Sequence, residues 1–359
     1  MKNTADNTPS PITSISQFLN SGDFQYRIYD LGRKLTSLPN KLFQSIEDQE
    51  TLYPYPFQQK AWLAILFWPE NKEVEPVIWF LQFPIDELGY LKLSSRDGFL
   101  QELLIHVGSN LQAQDNGTEM QDSLKESAFA FKPRQDRLAI FHAFATVQLK
   151  QAPSHYYDHT RQYLQGSIGY EQWEFLGLQG IADVIARLHL DDNETLLSKA
   201  ISQLPTTPLV SFTENLEHHV IGGELSIALN KRLQKELSEE QPNTQIIAAL
   251  VRAISSSKGK KSRQEIIAKL LTTDAIKEIE VIAAIAGRAW QDITQETLIN
   301  PFMEALAHQE QDAFTVILVD IMGIPNMREP ILKALRNPER SSLLSKRIGG
   351  FLGGFATTH

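Results

Sequence analysis

The chain contains no cysteine. That excludes disulfide frameworks, thiolate zinc sites, iron–sulfur clusters and a cysteine nucleophile. Long apolar runs are also missing. The longest, Ala61 to Trp68, is eight residues closed by Pro69, whereas a membrane-spanning helix needs about 20. With 19 Gly and 17 Pro in 359 residues, the chain is not fibrous or of low complexity. Basic charge is in deficit: 34 Lys plus Arg stand against 43 Asp plus Glu, a net charge of −9. The charge is spread evenly, so neither nucleic acid nor an anionic membrane is an expected partner. What is present is 42% hydrophobic and 21% charged, the balance of a folded chain with about two domains by length. Met1-Lys2-Asn3-Thr4-Ala5-Asp6 leads into no apolar h-region, so the expected location is the cytoplasm.

Two periods of apolar residues divide the chain. Residues 1–11 are polar with two prolines and are expected to be frayed. Ile12 to Leu19 predicts a short helix, Phe24 to Ile28 a half-buried strand, and Leu38 to Ile46 a helix with apolar residues at i, i+4, i+8. Ala61 to Trp68 is apolar on both parities and rich in aromatics, which predicts a strand covered on both faces. Val77 to Phe83 has the same character. The charged loop from Pro69 to Pro76 makes the two a hairpin, and Tyr90 to Leu93 after Gly89 predicts a third strand. Residues 1–115 are thus expected to form an α+β unit with an antiparallel meander.

From about Asp97 the period is helical. Phe99 to Val107, Arg134 to Leu149, His155 to Leu164 after Ser154, and Glu171 to Leu188 each predict a helix, while Gln112 to Thr118 reads as a loop. In the C-terminal half an offset of 32 residues aligns Leu250 with Ile282 and Phe314, and Ala253 with Ile285 and Ile317. In the second helix of each unit the same offset aligns Ile267 with Ile299 and Ile331. Residues 116–359 are therefore expected to be a repeat-like array of HEAT-type helical pairs, with a period shorter than the usual ~40 residues of that type. An irregular helical bundle is the alternative. Ser211 with Glu214 and Ser262 with Glu265 are spaced as capping boxes, Asn326 with Glu329 is a similar pair, and Asp274 can cap a helix from Ala275. Pro301 predicts either a kink or a restart with Asn300 as N-cap. The final Arg347 to Phe355 carries four glycines and is expected to dock on the preceding helix.

Chemistry-bearing residues are sparse. His155 and His159 at i, i+4, with Asp158 between them and His142 upstream, have the types and spacing of a ligand-binding or metal set. The intervening Tyr156-Tyr157-Asp158 offers no metalloprotease Glu, however, so no general base is placed and no metal is assigned. Neighbours in a helix point ~100° apart, so His218-His219 cannot easily share a ligand and reads as a solvated helix end. Lys258 to Arg263 is the densest basic run, but it lacks phosphate-loop spacing and a preceding strand. It reads as a solvated turn. Gly166-Ser167-Ile168-Gly169 is not a nucleophile elbow. The tryptophans at 62, 68 and 79 alternate with Leu, Ile and Phe, as core residues do.

Four stretches carry a resemblance. They are Phe24 to Leu31, Phe131-Lys132-Pro133 followed by Phe141-His142-Ala143, Ser154 to Tyr157, and Trp173 to Asp183. In them the chain resembles the proteobacterial family of unknown function DUF3549, over nearly its whole length. The family has no assigned activity, so the resemblance implies a bacterial protein and transfers no functional residue.

The expectation is a mainly α protein: an α+β N-terminal unit with a small antiparallel sheet, then an all-α array. It is a non-enzymatic scaffold for a protein or peptide partner, with no cofactor and no oligomeric state specified. The alternative is a ligand- or metal-binding enzyme using His142, His155, Asp158 and His159.

Overall fold

The computed structural model describes residues 12–21, 24–69, 75–107, 124 and 126–356. Residues 1–11, expected to be frayed, the centre of the expected hairpin loop at 70–74, the expected loop at 112–118 and the expected division at 115 lie outside them. The chain forms two compact units. One is Met1–Gly32 with Thr36–Lys132; the other is Arg33–Leu35 with Pro133–His359.

The first unit holds a four-stranded antiparallel sheet of order β2-β1-β3-β4, from β1 (Phe24–Asp30), β2 (Thr36–Leu38), β3 (Lys60–Pro69) and β4 (Val77–Pro84). Its register sets Leu38, Ile28, Ile65 and Trp79 in one row. Ala61, Leu63, Ile65 and Phe67 face a core built with α1 (Ile15–Asn20), α2 (Asn40–Glu47) and α3 (Leu93–Val107). Ala64 and Leu66 on the other parity are buried as well, as the unbroken apolar run predicted. Tyr90 to Leu93 is not a third meander strand. Leu91 makes one bridge to Ile85, and α3 begins at Leu93. The sheet grows instead through β1, whose alternating Phe24, Tyr26 and Ile28 complete it between β2 and β3. Glu47 of α2 accepts from the N–H groups of Ile15 (2.7 Å) and Ser16 (2.9 Å) at the start of α1. A carboxylate there satisfies donors that a short helix leaves open.

The second unit is a series of helical pairs. The pairs are α4 (Gln135–Gln148) with α5 (Tyr157–Leu164), α6 (Leu178–Ala186) with α7 (Asn193–Ala200), and α8 (Thr206–Leu216) with α9 (Gly223–Leu237). They continue with α10 (Thr244–Ile254) and α11 (Lys260–Leu270), α12 (Ile279–Arg288) and α13 (Glu296–Leu306), then α14 (Gln311–Met322) and α15 (Arg328–Leu335). The last helix is α16 (Ser342–Ala356). Each even helix packs on the next even one from α4 to α16. The odd helices do the same from α5 to α9 and from α11 to α15. With sixteen helices among the described residues, the protein is mainly α. The aligned Leu250, Ile282 and Phe314 are all buried, on α10, α12 and α14. The pairing starts three pairs earlier than the 32-residue offset revealed, because the earlier pairs differ in length.

Local signals fared less evenly. Glu171 to Leu188 is not one helix: a 3-10 turn at Trp173–Phe175 precedes α6. Neither capping box forms. Ser211 lies inside α8 and donates to Thr207 O, and Ser262 lies inside α11. Met327, not Asn326, precedes α15, and Asp274 opens a 3-10 turn. Pro301 sits inside α13 without restarting it. Side-chain caps do form at Ser14 on α1, at Asn243 on α10 and at Ser341, which accepts from Leu344 N–H at the start of α16. The C-terminal glycines are helical in α16, where Phe351 is buried and Arg347 Nε donates to Ala307 O at 3.1 Å.

Glycine sets one crossing distance. A Cβ on Gly180 of α6 would stand 2.9 Å from Tyr156 O and against Thr160 Oγ1 at the start of α5. At Gly287 of α12 nothing lies within 4 Å. Gly180→Ala is therefore expected to destabilise by about 1–3 kcal/mol through overpacking. Gly287→Ala should stabilise by about 0.5–1 kcal/mol through helix propensity. Urea unfolding of the two variants checks the opposite signs.

Candidate functional site

Glu217 stands at the C-terminal end of α8 with 4% of its side chain exposed. A carboxylate is disfavoured there by burial and by the negative end of the helix dipole. Two arginines compensate. Arg137 of α4 reaches Oε1 at 2.9 Å, and Arg288 of α12 reaches Oε1 and Oε2, each at 2.9 Å. Ser256 Oγ donates to the Glu217 carbonyl at 2.9 Å. Burial alone would raise the carboxyl pKa; Arg288, with His218 and Arg137, holds it at about 2.

His218 is not a solvated helix end. Its side chain is 4% exposed, and Nδ1 accepts from Leu35 N–H at 3.2 Å. That bond needs the Nδ1 lone pair, so the ring is neutral with its proton on Nε2, 3.5 Å from Glu217 Oε1. Burial, reinforced by Arg137, drives its pKa well below the usual histidine value. A neutral ring adds no positive charge, so the two arginines carry the Glu217 effect at neutral pH. His219 packs instead edge-on against His189 and tilted against Phe144, with centroids 4.7 and 5.6 Å away.

Arg33–Leu35 belongs to this unit. Arg33 pairs with Asp320 at 2.9 Å and lies 5.4 Å from the Trp290 ring centre. Burial, with Arg288, lowers the Lys34 pKa. The basic run is not wholly solvated either, since Arg263 grips the buried Asp292 at 2.8 and 2.9 Å. These groups form a buried clasp in which cations meet carboxylates, and it places no nucleophile beside a general base.

The sequence candidates lie elsewhere in the same unit. His142 is exposed on α4, with the Phe141 ring centre 6.1 Å away. His155 precedes α5 rather than sharing its face with His159, and it stacks on Tyr156 at 3.8 Å. Asp158 is exposed in the first turn of α5, and His159 Nε2 is buried without a hydrogen-bond partner. Among the described residues no three His, Asp or Glu side chains are placed to hold a metal ion.

Two surfaces stand out. The first is a run of exposed apolar side chains around the point where Tyr156 approaches Gly177. The Tyr156 ring lies 3.4 Å from a Cβ built on Gly177, and Tyr156, Phe175 and Leu178 are 42%, 68% and 46% exposed. The second is a groove of about 610 Å³ between α7 and α9, lined by Lys199, Lys231, Arg232 and Lys235 with Glu224 and Ile227. Sequence reasoning missed both, because each is assembled from separate helices.

The fold defines a mainly α protein: an α+β unit with a four-stranded sheet, followed by a long series of packed helices. The chain belongs to the family of proteins of unknown function DUF3549, whose model matches residues 10–352. No curated protein and no solved structure matches it. Among the described residues no helix is long and apolar enough to cross a membrane.

Glu217→Ala is expected to cost about 3–5 kcal/mol, because it leaves two buried arginines uncompensated. Acid should weaken the fold in two stages. The lowered His218 pKa means that the unfolded chain binds the extra proton, so its contribution is full above pH ~6.5 and declines below it. The depressed Glu217 contribution is full above pH ~4.5 and is lost as pH falls towards 2. His218→Asn keeps a neutral acceptor for Leu35 N–H and should flatten the fall between pH 7.5 and 5, read as urea midpoints.

Proposed function

We propose that this chain is a non-enzymatic, cytoplasmic bacterial protein that holds a protein or peptide partner on the surface of its helical array, with no cofactor, nucleic acid or membrane involved. One observation carries the reading: the exposed patch of His155, Tyr156, Phe175 and Leu178, set where α5 meets α6. Single exposed apolar residues are ordinary, but several exposed aromatic and aliphatic side chains on adjoining segments supply contact area of the kind that dominates protein interfaces. Stacked helical pairs bury their apolar stripes against neighbours and leave a long outer surface available. The charge clasp around Glu217 supports the same reading, since its cations are committed to carboxylates. The four-residue histidine set gains no support as a metal site from the positions of its members.

The test is native purification of the tagged full-length chain from its own host, beside the double variant Phe175→Asp, Leu178→Asp. A protein partner should stay with the wild-type chain at constant stoichiometry through gel filtration. The variant should hold it at least about ten-fold more weakly, with an unchanged melting curve. A wild-type chain that elutes alone, or that turns over a small molecule, overturns the reading.

A further inference from the structure

We infer that the groove between α7 and α9 seats an acidic amphipathic segment of a partner protein. This rests on the reading of the array as a protein-binding surface, and it names a second contact on it.

Ile227, Lys231 and Lys235 recur every four residues on α9, so they form one stripe about 12 Å long. All three are exposed, Ile227 to 58%. Lys199 of α7 lines the groove from the other wall. Lys231 and Lys235 stand one turn apart, where like charges repel. The acids of α9 do not answer them. Glu236 turns inward and accepts from Asn243 N–H at 2.9 Å, which leaves Glu224 as the carboxylate among the lining residues. Arg232 fixes the groove's shape rather than its charge. Its Nη1 donates to Ile201 O and Ser202 O at the end of α7, at 3.4 and 3.0 Å.

The occupant follows from this layout. The lysines stand one turn apart on α9 and across the groove on α7, beside the apolar Ile227 and Ala228, a layout that offers an apolar contact a lone phosphate would not use. Carboxylates one turn apart on a helix match that spacing, and an aliphatic side chain beside them covers Ile227 and Ala228. A nucleic acid or an anionic bilayer is a far larger polyanion and would be repelled by a chain of net charge −9. A short acidic segment meets only the local excess of lysine.

The experiment uses the full chain and a fluorescein-labelled synthetic helix of about four turns, with Leu on one face and Glu flanking it. Fluorescence anisotropy should show saturable binding. Affinity should fall at least about ten-fold for Lys231→Glu with Lys235→Glu, and should weaken in about 1 M salt, where screening acts within about 3 Å. Hydrogen exchange should slow in the 224–235 segment when the peptide binds. A peptide with Lys in place of Glu should not bind. Because the substituted lysines are exposed, an unchanged melting curve shows that the variant is folded.

No binding of the Glu peptide, or binding unaffected by the charge reversal, overturns the proposal. So does a charge-dependent preference for phosphatidylglycerol vesicles or single-stranded RNA over the peptide. If a native partner is retained equally by wild type and by the Lys231→Glu, Lys235→Glu variant, the scaffold reading stands and this inference falls. If no partner is held and the peptide does not bind, both fall.

Discussion

A buried carboxylate at the wrong end of a helix has to be neutralised, and the second unit is organised around that need. Glu217 closes α8, and its two arginines come from α4 and α12, which belong to the first and fifth helical pairs. In a simple stack each pair would touch only its neighbours. Here one carboxylate couples helices that are not neighbours in the series, and Ser256 and the ring of His218 join it at the same point. Removing one member leaves an unpaired charge in a low-dielectric interior, which costs far more than the net worth of the intact cluster.

That arrangement separates structure from interaction. The strongest charges of the unit are turned inward: Arg33 to Asp320, Arg263 to Asp292, and Arg137 and Arg288 to Glu217. The outer faces keep what the clasp does not use. These are the exposed Tyr156, Phe175 and Leu178 and a lysine stripe beside Ile227. The proposed partner-binding role draws on that division between committed charges inside and open surfaces outside. The histidines fit that division. His218 is an acceptor in the clasp, and His155 is a stacking ring in the patch.

Legibility in the sequence followed the range of the interactions. Ala61 to Trp68 announced a two-sided strand because its burial depends on its own composition. The 32-residue offset announced where the helices of the last part of the chain lie, because helices of similar length repeat their apolar positions. Tyr90 to Leu93 misled: alternation over so few residues does not show whether an edge is available for pairing, and β1 and β2 supplied the sheet instead. The capping boxes at Ser211 and Ser262 misled for a related reason. Tertiary packing chose where α8 and α11 begin, and local cap preference is a small term beside it.

Composition and periodicity by themselves determined a cysteine-free, mainly α chain with a small antiparallel sheet, since these properties depend on residues within a turn or a strand of one another. Tertiary structure alone decided the clasp and the two surfaces. Glu217 meets Arg137 across 80 residues and Arg288 across 71, and no local pattern records such a pairing. The basic deficit points the same way. A net charge of −9 is an average over the chain, whereas an electrostatic surface is a matter of which few charges face outward together. Folding turned Glu236 inward and left Lys199, Lys231 and Lys235 around one groove, so an acidic sequence carries a basic site.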